Sequence, residues 1–290
     1  MSKASQDLEK AIAKAAKVGS CLPQNIPEWM QKMGISPKDI ITKTEKIGDI
    51  SPNNKTDVLI RFKNSTPLKI SAKLSNAHYF GSWYGHKRFV NEFGRKVFDK
   101  LTKEATLWAN EWANKTNDLF VGVSINFGKR GGDTFIPFLD IFDDLEDLKK
   151  IVCGVGNNDN AANCLYVSDD HPNSIEEIVK GLEPINNEKI KQLSKNIKVI
   201  CRPIDPLTSN LGKNVYTKFQ PDQPLSKFTD VTTIKELMKL GKFVEVFPNT
   251  LNHRHILDTL EADYKIHIEH GKPSKIIPKS RWKFYSEKKV

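Results

Sequence analysis

Cysteine is scarce. The four residues at 21, 153, 164 and 201 form no CxxC pair and keep no regular spacing, which leaves a zinc ribbon or a disulfide framework without support and fits a reducing compartment. Long apolar runs are also missing. The longest, Leu119 to Phe127, is interrupted by Gly122, Ser124 and Asn126 and falls far short of the roughly 20 residues that a membrane helix requires, so no membrane partner is expected. Met1 to Gly19 carries Asp7 and Glu9 among alanines and lysines and lacks the apolar stretch of a secretory signal, which points to a cytoplasmic protein. There is no repeat and no low-complexity tract.

What the chain has in excess is positive charge. With 45 Lys and Arg against 35 Asp and Glu it carries a formal +10 and a pI near 9.2, a field that concentrates polyanions and makes nucleic acid the first partner to test. Its 290 residues, 38% of them hydrophobic, suffice for one large domain or for a core plus a second lobe.

Periodicity supplies the elements. Leu8, Ala11, Ile12, Ala15 and Val18 draw a helical stripe that ends at Gly19. A weak strand near Asp39 to Lys46 follows, and then two β-like runs, Thr56 to Phe62 and Leu68 to Leu74, read as a hairpin. Phe89, Phe93, Val97, Leu101, Ala105, Trp108 and Trp112 keep helical spacing from Lys87 to Asn114 and predict one long helix before the strand Leu119 to Phe127. This order suits α/β layering. Beyond Gly128 the pattern loosens into short helices near 145–151, 174–182, 188–195 and 233–240 and short strands near 197–202 and 243–247, an α+β lobe with long loops.

The chemistry-bearing stretch is Asn54-Lys-Thr-Asp57-Val-Leu-Ile-Arg-Phe followed by Leu68-Lys-Ile-Ser71-Ala-Lys73. Alternation along a strand puts Ser71 and Lys73 on one face, and a hairpin can bring that face beside Asp57. A carboxylate, a hydroxyl and an ammonium that converge suit metal-assisted phosphodiester hydrolysis: the carboxylate holds a hard divalent ion, and the ammonium offsets phosphate charge and places the attacking water. The same residues also fit the turn and solvated face of an ordinary hairpin.

Lys-Thr-Asp-Val-x-Ile-x-Phe, a turn, and an apolar strand ending Ser-x-Lys, ahead of a helix and a further strand, resembles the catalytic core of type II restriction endonucleases of the PD-(D/E)xK nuclease superfamily. Across residues 5–127 the order of elements is similar as well. Two departures stand out: Thr56 occupies the proline position, and Ser71 replaces the usual second carboxylate and removes a metal ligand. The resemblance implies an α/β fold, a restriction-endonuclease-like core (1–130) with a central mixed β-sheet flanked by helices, plus an α+β recognition and possible dimerisation lobe (131–290). It implies Mg2+ as cofactor, double-stranded DNA cut at a short sequence, a homodimer, and a cognate DNA methyltransferase in the same system. In relatives with a Ser-x-Lys strand a glutamate from the following helix completes the metal shell, so Glu92, 19 residues beyond Lys73, is expected to join Asp57 as a metal ligand beside Ser71 and Lys73. Asp49 and Glu9, the latter on the first helix beside Leu8, are the other acids within reach.

Candidate DNA contacts are Asn76, His78, Tyr84, Lys87 and Arg88 after the hairpin, Lys129 and Arg130 in the basic turn Gly128 to Gly132, and Arg202, Asn210, Lys213 and Asn214 in a polar loop. Lys, Arg, Tyr and Asn suit phosphates, and Arg and Asn can pair with base edges. The turn lacks the Gly-Lys-Ser/Thr ending of a P-loop. The basic, aromatic tail Lys272 to Val290 fits backbone contact. Asn252-His-Arg-His255, with His267 and His270 nearby, invites a His-metal nuclease reading, but two histidines at i and i+2 cannot share a helix face. A repair or junction nuclease that reads shape, and a DNA-binding protein without activity, are the alternatives.

Overall fold

The computed structural model describes residues 3–47, 54–77, 80, 83–129, 133–156 and 158–270. The strands are β1 (Ile41–Lys46), β2 (Val58–Phe62), β3 (Leu68–Lys73), β4 (Gly122–Gly128), β5 (Phe135–Pro137), β6 (Cys164–Val167), β7 (Leu182–Pro184), β8 (Lys198–Pro203), β9 (Thr217–Pro221), β10 (Thr229–Asp230), β11 (Gly241–Glu245) and β12 (Ile266–His267). The helices are α1 (Lys3–Ala15), α2 (Glu28–Lys32), α3 (His86–Phe93), α4 (Arg95–Ala113), α5 (Phe138–Ile141), α6 (Leu145–Cys153), α7 (Ile175–Gly181), α8 (Asn187–Ser194), α9 (Ile234–Leu237) and α10 (His253–Tyr264). The protein is mixed α/β, with helices packed on a mixed sheet.

Two compact units are interleaved along the chain. The first comprises residues 1–82, 127–130 and 144–197, and the second 83–126, 131–143 and 198–290. The segment 144–197 returns to the sheet of the hairpin, to which it adds β6 and β7.

That sheet runs β1-β2-β3-β6-β7. Its first two pairings are antiparallel, β3 and β6 are parallel, and β6 and β7 are antiparallel. The predicted hairpin is β2 and β3, in register Val58 to Ile70, and both strands are mostly buried because they lie inside the sheet. Helix α1 packs across β1, β2 and β3 and sends Leu8, Ile12 and Ala15 into a core shared with Val58, Ile60 and Ile70. Each fully buried aliphatic side chain there contributes about 1.5–3 kcal/mol. The parallel strand β6 was not evident in the sequence, since Cys164 to Val167 is too short to display a period.

The second unit carries a sheet in the order β11-β9-β4-β8-β5 and the two-stranded pair β10 and β12. Here one expectation is corrected: the long helix is two helices. Gly94 lies at φ +87, which a right-handed helix cannot contain; its N–H closes α3 on Val90 O, and α4 starts at the next residue. The break also shifts the buried stripe. Phe98, Leu101, Thr102, Ala105, Ala109 and Ala113 face inward on α4, while Trp108 and Trp112 are half-buried and stacked on each other at 5.6 Å.

Candidate active site

Asp57 stands one residue before β2. Its N–H bonds to Ile70 O at 2.8 Å, which continues the β2–β3 ladder and places its carboxylate against the strand that carries Ser71 and Lys73. Oδ2 of Asp57 accepts from Lys73 Nζ at 3.0 Å, from the Ala72 N–H at 2.8 Å and from Ser71 Oγ at 3.4 Å. Lys73 also donates to Ala72 O at 2.9 Å. All three of these bonds land on Oδ2, and among the described residues none is made to Oδ1. Ser71 is fully buried, whereas the Asp57 and Lys73 side chains retain 16% and 21% of their exposure, enough to meet a ligand from outside. Beside them a cavity of about 250 Å3 is lined by Lys73, Ser75, Phe80, Lys129 and Leu165 among others.

The acid that joins this cluster is on α1. Glu9 is fully buried, and its Oε2 forms an ion pair with the Lys46 ammonium on β1 at 3.0 Å, while Oε1 has no hydrogen-bond partner among the described residues. Burial raises its carboxyl above the usual range. Lys46 and Lys73 pull it back, and the charge of Asp57 pushes it further up, so Glu9, Asp57 and Lys73 act on one another electrostatically. A carboxylate on the edge of a buried stripe, next to Leu8, was the available signal in the sequence. Lys46 left none, being one lysine in a half-exposed strand.

Glu92, the expected second metal ligand, is engaged on its own helix. It belongs to the second unit, where Arg88, one helical turn earlier, donates from Nε to its Oε1 at 2.6 Å, with both side chains nearly buried. Arg88 also donates to Tyr84 Oη at 3.1 Å and lies over the Tyr84 ring at 4.0 Å. Tyr84 is 2% exposed. Tyr84 and Arg88 are thus engaged in packing their own unit, and the structure does not present them as a pair extended for phosphate.

The other expected contacts are placed as follows. Asn76 is exposed in the turn after β3, Lys87 is exposed in the first turn of α3, and Lys129 is exposed with its ammonium 5.4 Å from the Phe80 ring. Arg202 on β8 and Lys213 both lie over the Trp83 ring. Asn210 is half-buried in the 3-10 turn Ser209–Gly212. Asn214 is tied down, with Nδ2 donating to Leu251 O at 3.2 Å and its carbonyl accepting from Ser124 Oγ at 2.6 Å. Asp49, His78, Arg130 and the tail from 271 lie outside the described residues.

Both ring nitrogens of His253 lie against backbone carbonyls. Nε2 donates to Gly122 O at 2.7 Å and Nδ1 faces Lys213 O at 3.3 Å, a geometry that assigns the neutral Nε2–H tautomer. Burial pushes its pKa down to about 4, against the raising effect of the two carbonyls. The unfolded chain therefore takes up a proton near pH 6.5 that the folded chain refuses until about pH 4, and stability is lost as pH falls through that window, by roughly 3 kcal/mol. Urea melts between pH 7 and 4 are expected to show this loss in the wild type, and His253→Gln, which keeps a donor but cannot titrate, is expected to remove it. An unchanged pH profile in the variant would show that His253 titrates at its ordinary value.

Among the described residues no three or more His, Cys, Asp or Glu side chains gather into a metal-holding group, and no helix is long and apolar enough to cross a membrane. No family model matches the chain, and no curated protein or solved structure matches it either.

Proposed function

We propose that the protein is a metal-dependent endonuclease of the restriction type, acting on double-stranded DNA, with Glu9, Asp57, Ser71 and Lys73 as its reacting cluster. The observation that carries this reading is the Asp57–Lys73 contact at 3.0 Å on adjacent strands, with the buried Glu9 in the same electrostatic field. The formal charge of +10 favours a polyanionic substrate. A mixed sheet that carries the pair on an antiparallel hairpin is compatible with a restriction-endonuclease-like core.

The donor set suits a hard divalent ion such as Mg2+. Among the described residues nothing is seen to donate to Oδ1 of Asp57 or Oε1 of Glu9, and oxygen ligands with water completing the shell are what Mg2+ takes. When bound, such an ion offsets phosphate charge and makes a water more acidic. The protein's own groups do the rest. The Lys73 ammonium, on the exposed side of the pair, can donate to a phosphate oxygen or hold the attacking water; the Ser71 hydroxyl and Ala72 N–H fix the carboxylate of Asp57; Lys46 balances the buried charge of Glu9. Glu9 supplies the second carboxylate that Ser71 does not. The restriction reading brings with it a two-fold dimer and a paired DNA methyltransferase that shields host sites.

Incubation of the purified protein with unmethylated phage DNA, with and without Mg2+, is the test. Discrete Mg2+-dependent fragments are expected. A smear would favour a shape-reading repair or junction nuclease, and intact DNA over a range of metals and salts would reduce the protein to a DNA-binding role.

A further inference from the structure

A second group of charges in the second unit is not used by the reacting cluster. The guanidinium of Arg202 lies 4.9 Å and the ammonium of Lys213 5.7 Å from the centre of the Trp83 ring. Both side chains are half-buried, and each points its charge at the same indole. Their proximity has an electrostatic signature: burial lowers the affinity of Lys213 for its proton, and the charge of Arg202 lowers it further. Among the described residues neither cation is paired with a carboxylate. The first turn of α3, which begins three residues after Trp83, carries Lys87 and no acid, so it brings no counter-charge either.

Two like charges held within 6 Å of the centre of one indole, partly desolvated and without a carboxylate partner among the described residues, repel each other, and the indole quadrupole offsets this only in part. An anion between them would remove the repulsion. The planar fork of Arg and the point charge of Lys are the donors that a phosphate oxygen takes best. We propose that Arg202 and Lys213, positioned by Trp83, form a clamp for a single phosphate, and that its ligand is one backbone phosphodiester of duplex DNA. This goes beyond the reading of the polar loop from sequence, in which Arg202 was a candidate for base edges, and makes the contact a sequence-independent one that sets the register of the second unit on DNA. The choice of DNA rests on the nuclease proposal; the anion chemistry does not.

The test is the binding of a fluorescein-labelled 20-base-pair duplex by the full chain in Ca2+, measured by anisotropy over a series of KCl concentrations, for wild type, Arg202→Gln, Lys213→Gln and the double variant. Loss of one phosphate contact lowers the slope of log K against log salt by about 0.9, which is a weakening of about eightfold at 0.1 M salt. Because the two cations share one phosphate, either single variant is expected to show most of that loss and the double variant little more. An unchanged slope in both singles overturns the clamp, and a loss twice as large in the double variant overturns the shared phosphate. A drop in wild-type affinity in inorganic phosphate beyond that in chloride of equal ionic strength, absent from the variants, would support a shared anion site, whereas calorimetric binding of inorganic phosphate that needs both cations, with DNA slopes unchanged in the variants, would overturn DNA as the ligand in favour of free phosphate. Thermal melts identify any variant that fails to fold; Lys213→Gln, on a half-buried loop, then carries the test. Wild-type cleavage with unchanged slopes would reject the clamp alone, whereas salt-sensitive binding that needs the clamp, without cleavage under any metal, would reject the nuclease alone.

Discussion

Asp57→Asn and Lys73→Met are each expected to reduce Mg2+-dependent cleavage by about a thousandfold or more, which corresponds to roughly 4 kcal/mol of transition-state stabilisation. The reason lies in how few groups converge. Oδ2 of Asp57 receives the Lys73 ammonium, the Ser71 hydroxyl and the Ala72 N–H, so this one carboxylate organises every donor of the β3 strand end. Asparagine keeps an oxygen for Ala72 N–H and removes the charge that a divalent ion needs; methionine keeps the apolar stem of Lys73 and removes its ammonium. Binding of duplex DNA in Ca2+ is expected to survive in Lys73→Met. Single-turnover cleavage and anisotropy on the same preparations check the pair, with melting curves beside them. If both variants lose folding in parallel with activity, the contact at 3.0 Å is a structural ion pair.

The second large effect separates two glutamates by the sign of their effect on stability. Burial raises the Glu9 carboxyl above its ordinary value of 4.5, so the folded chain holds a proton there more tightly than the unfolded chain does. Below that ordinary value the group costs nothing, and as pH rises through the raised value the ionised carboxylate becomes a burden on the fold. Glu9→Gln should therefore melt higher than wild type at pH 7–8, with the difference vanishing near pH 4, and should lose cleavage together with calorimetric Mg2+ binding. Glu92→Gln should do the opposite. The amide still accepts from Arg88 but no longer offsets its nearly buried charge, at a cost of about 1–3 kcal/mol, while the folded fraction keeps its cleavage and its metal affinity. Loss of Mg2+ binding in Glu92→Gln but not in Glu9→Gln would return the metal shell to the one expected from the sequence.

Part of this protein was legible in its sequence. The stripe Leu8, Ile12, Ala15 predicted α1 because burial imposes the helical period on apolar residues, and the hairpin β2–β3 was visible because two runs rich in apolar residues flank a short polar turn. Alternation along β3 then put Ser71 and Lys73 on one face, and the approach of that face to Asp57 followed from the hairpin alone. These are local determinations, each contained within about 20 residues.

What only the tertiary structure decided is everything that depends on distant segments. Helical spacing runs unbroken through Gly94, since periodicity is blind to a positive φ, and the expected long helix became two with a different buried face on the second. Glu92 and Glu9 carry the same side chain on helices of similar pattern; the first meets Arg88 one turn away on its own helix, a local pair, whereas packing alone drew the second, 48 residues from Asp57, into the field of the hairpin. The parallel strand β6, nearly 100 residues from its partner β3, and the meeting of Arg202 and Lys213 over Trp83 are likewise products of the fold, because contacts of that separation leave no period in the chain. The sequence by itself determined that Asp57, Ser71 and Lys73 come together, through local strand geometry, and the tertiary structure decided which distant charges act on them, because burial and charge act across space and not along the chain.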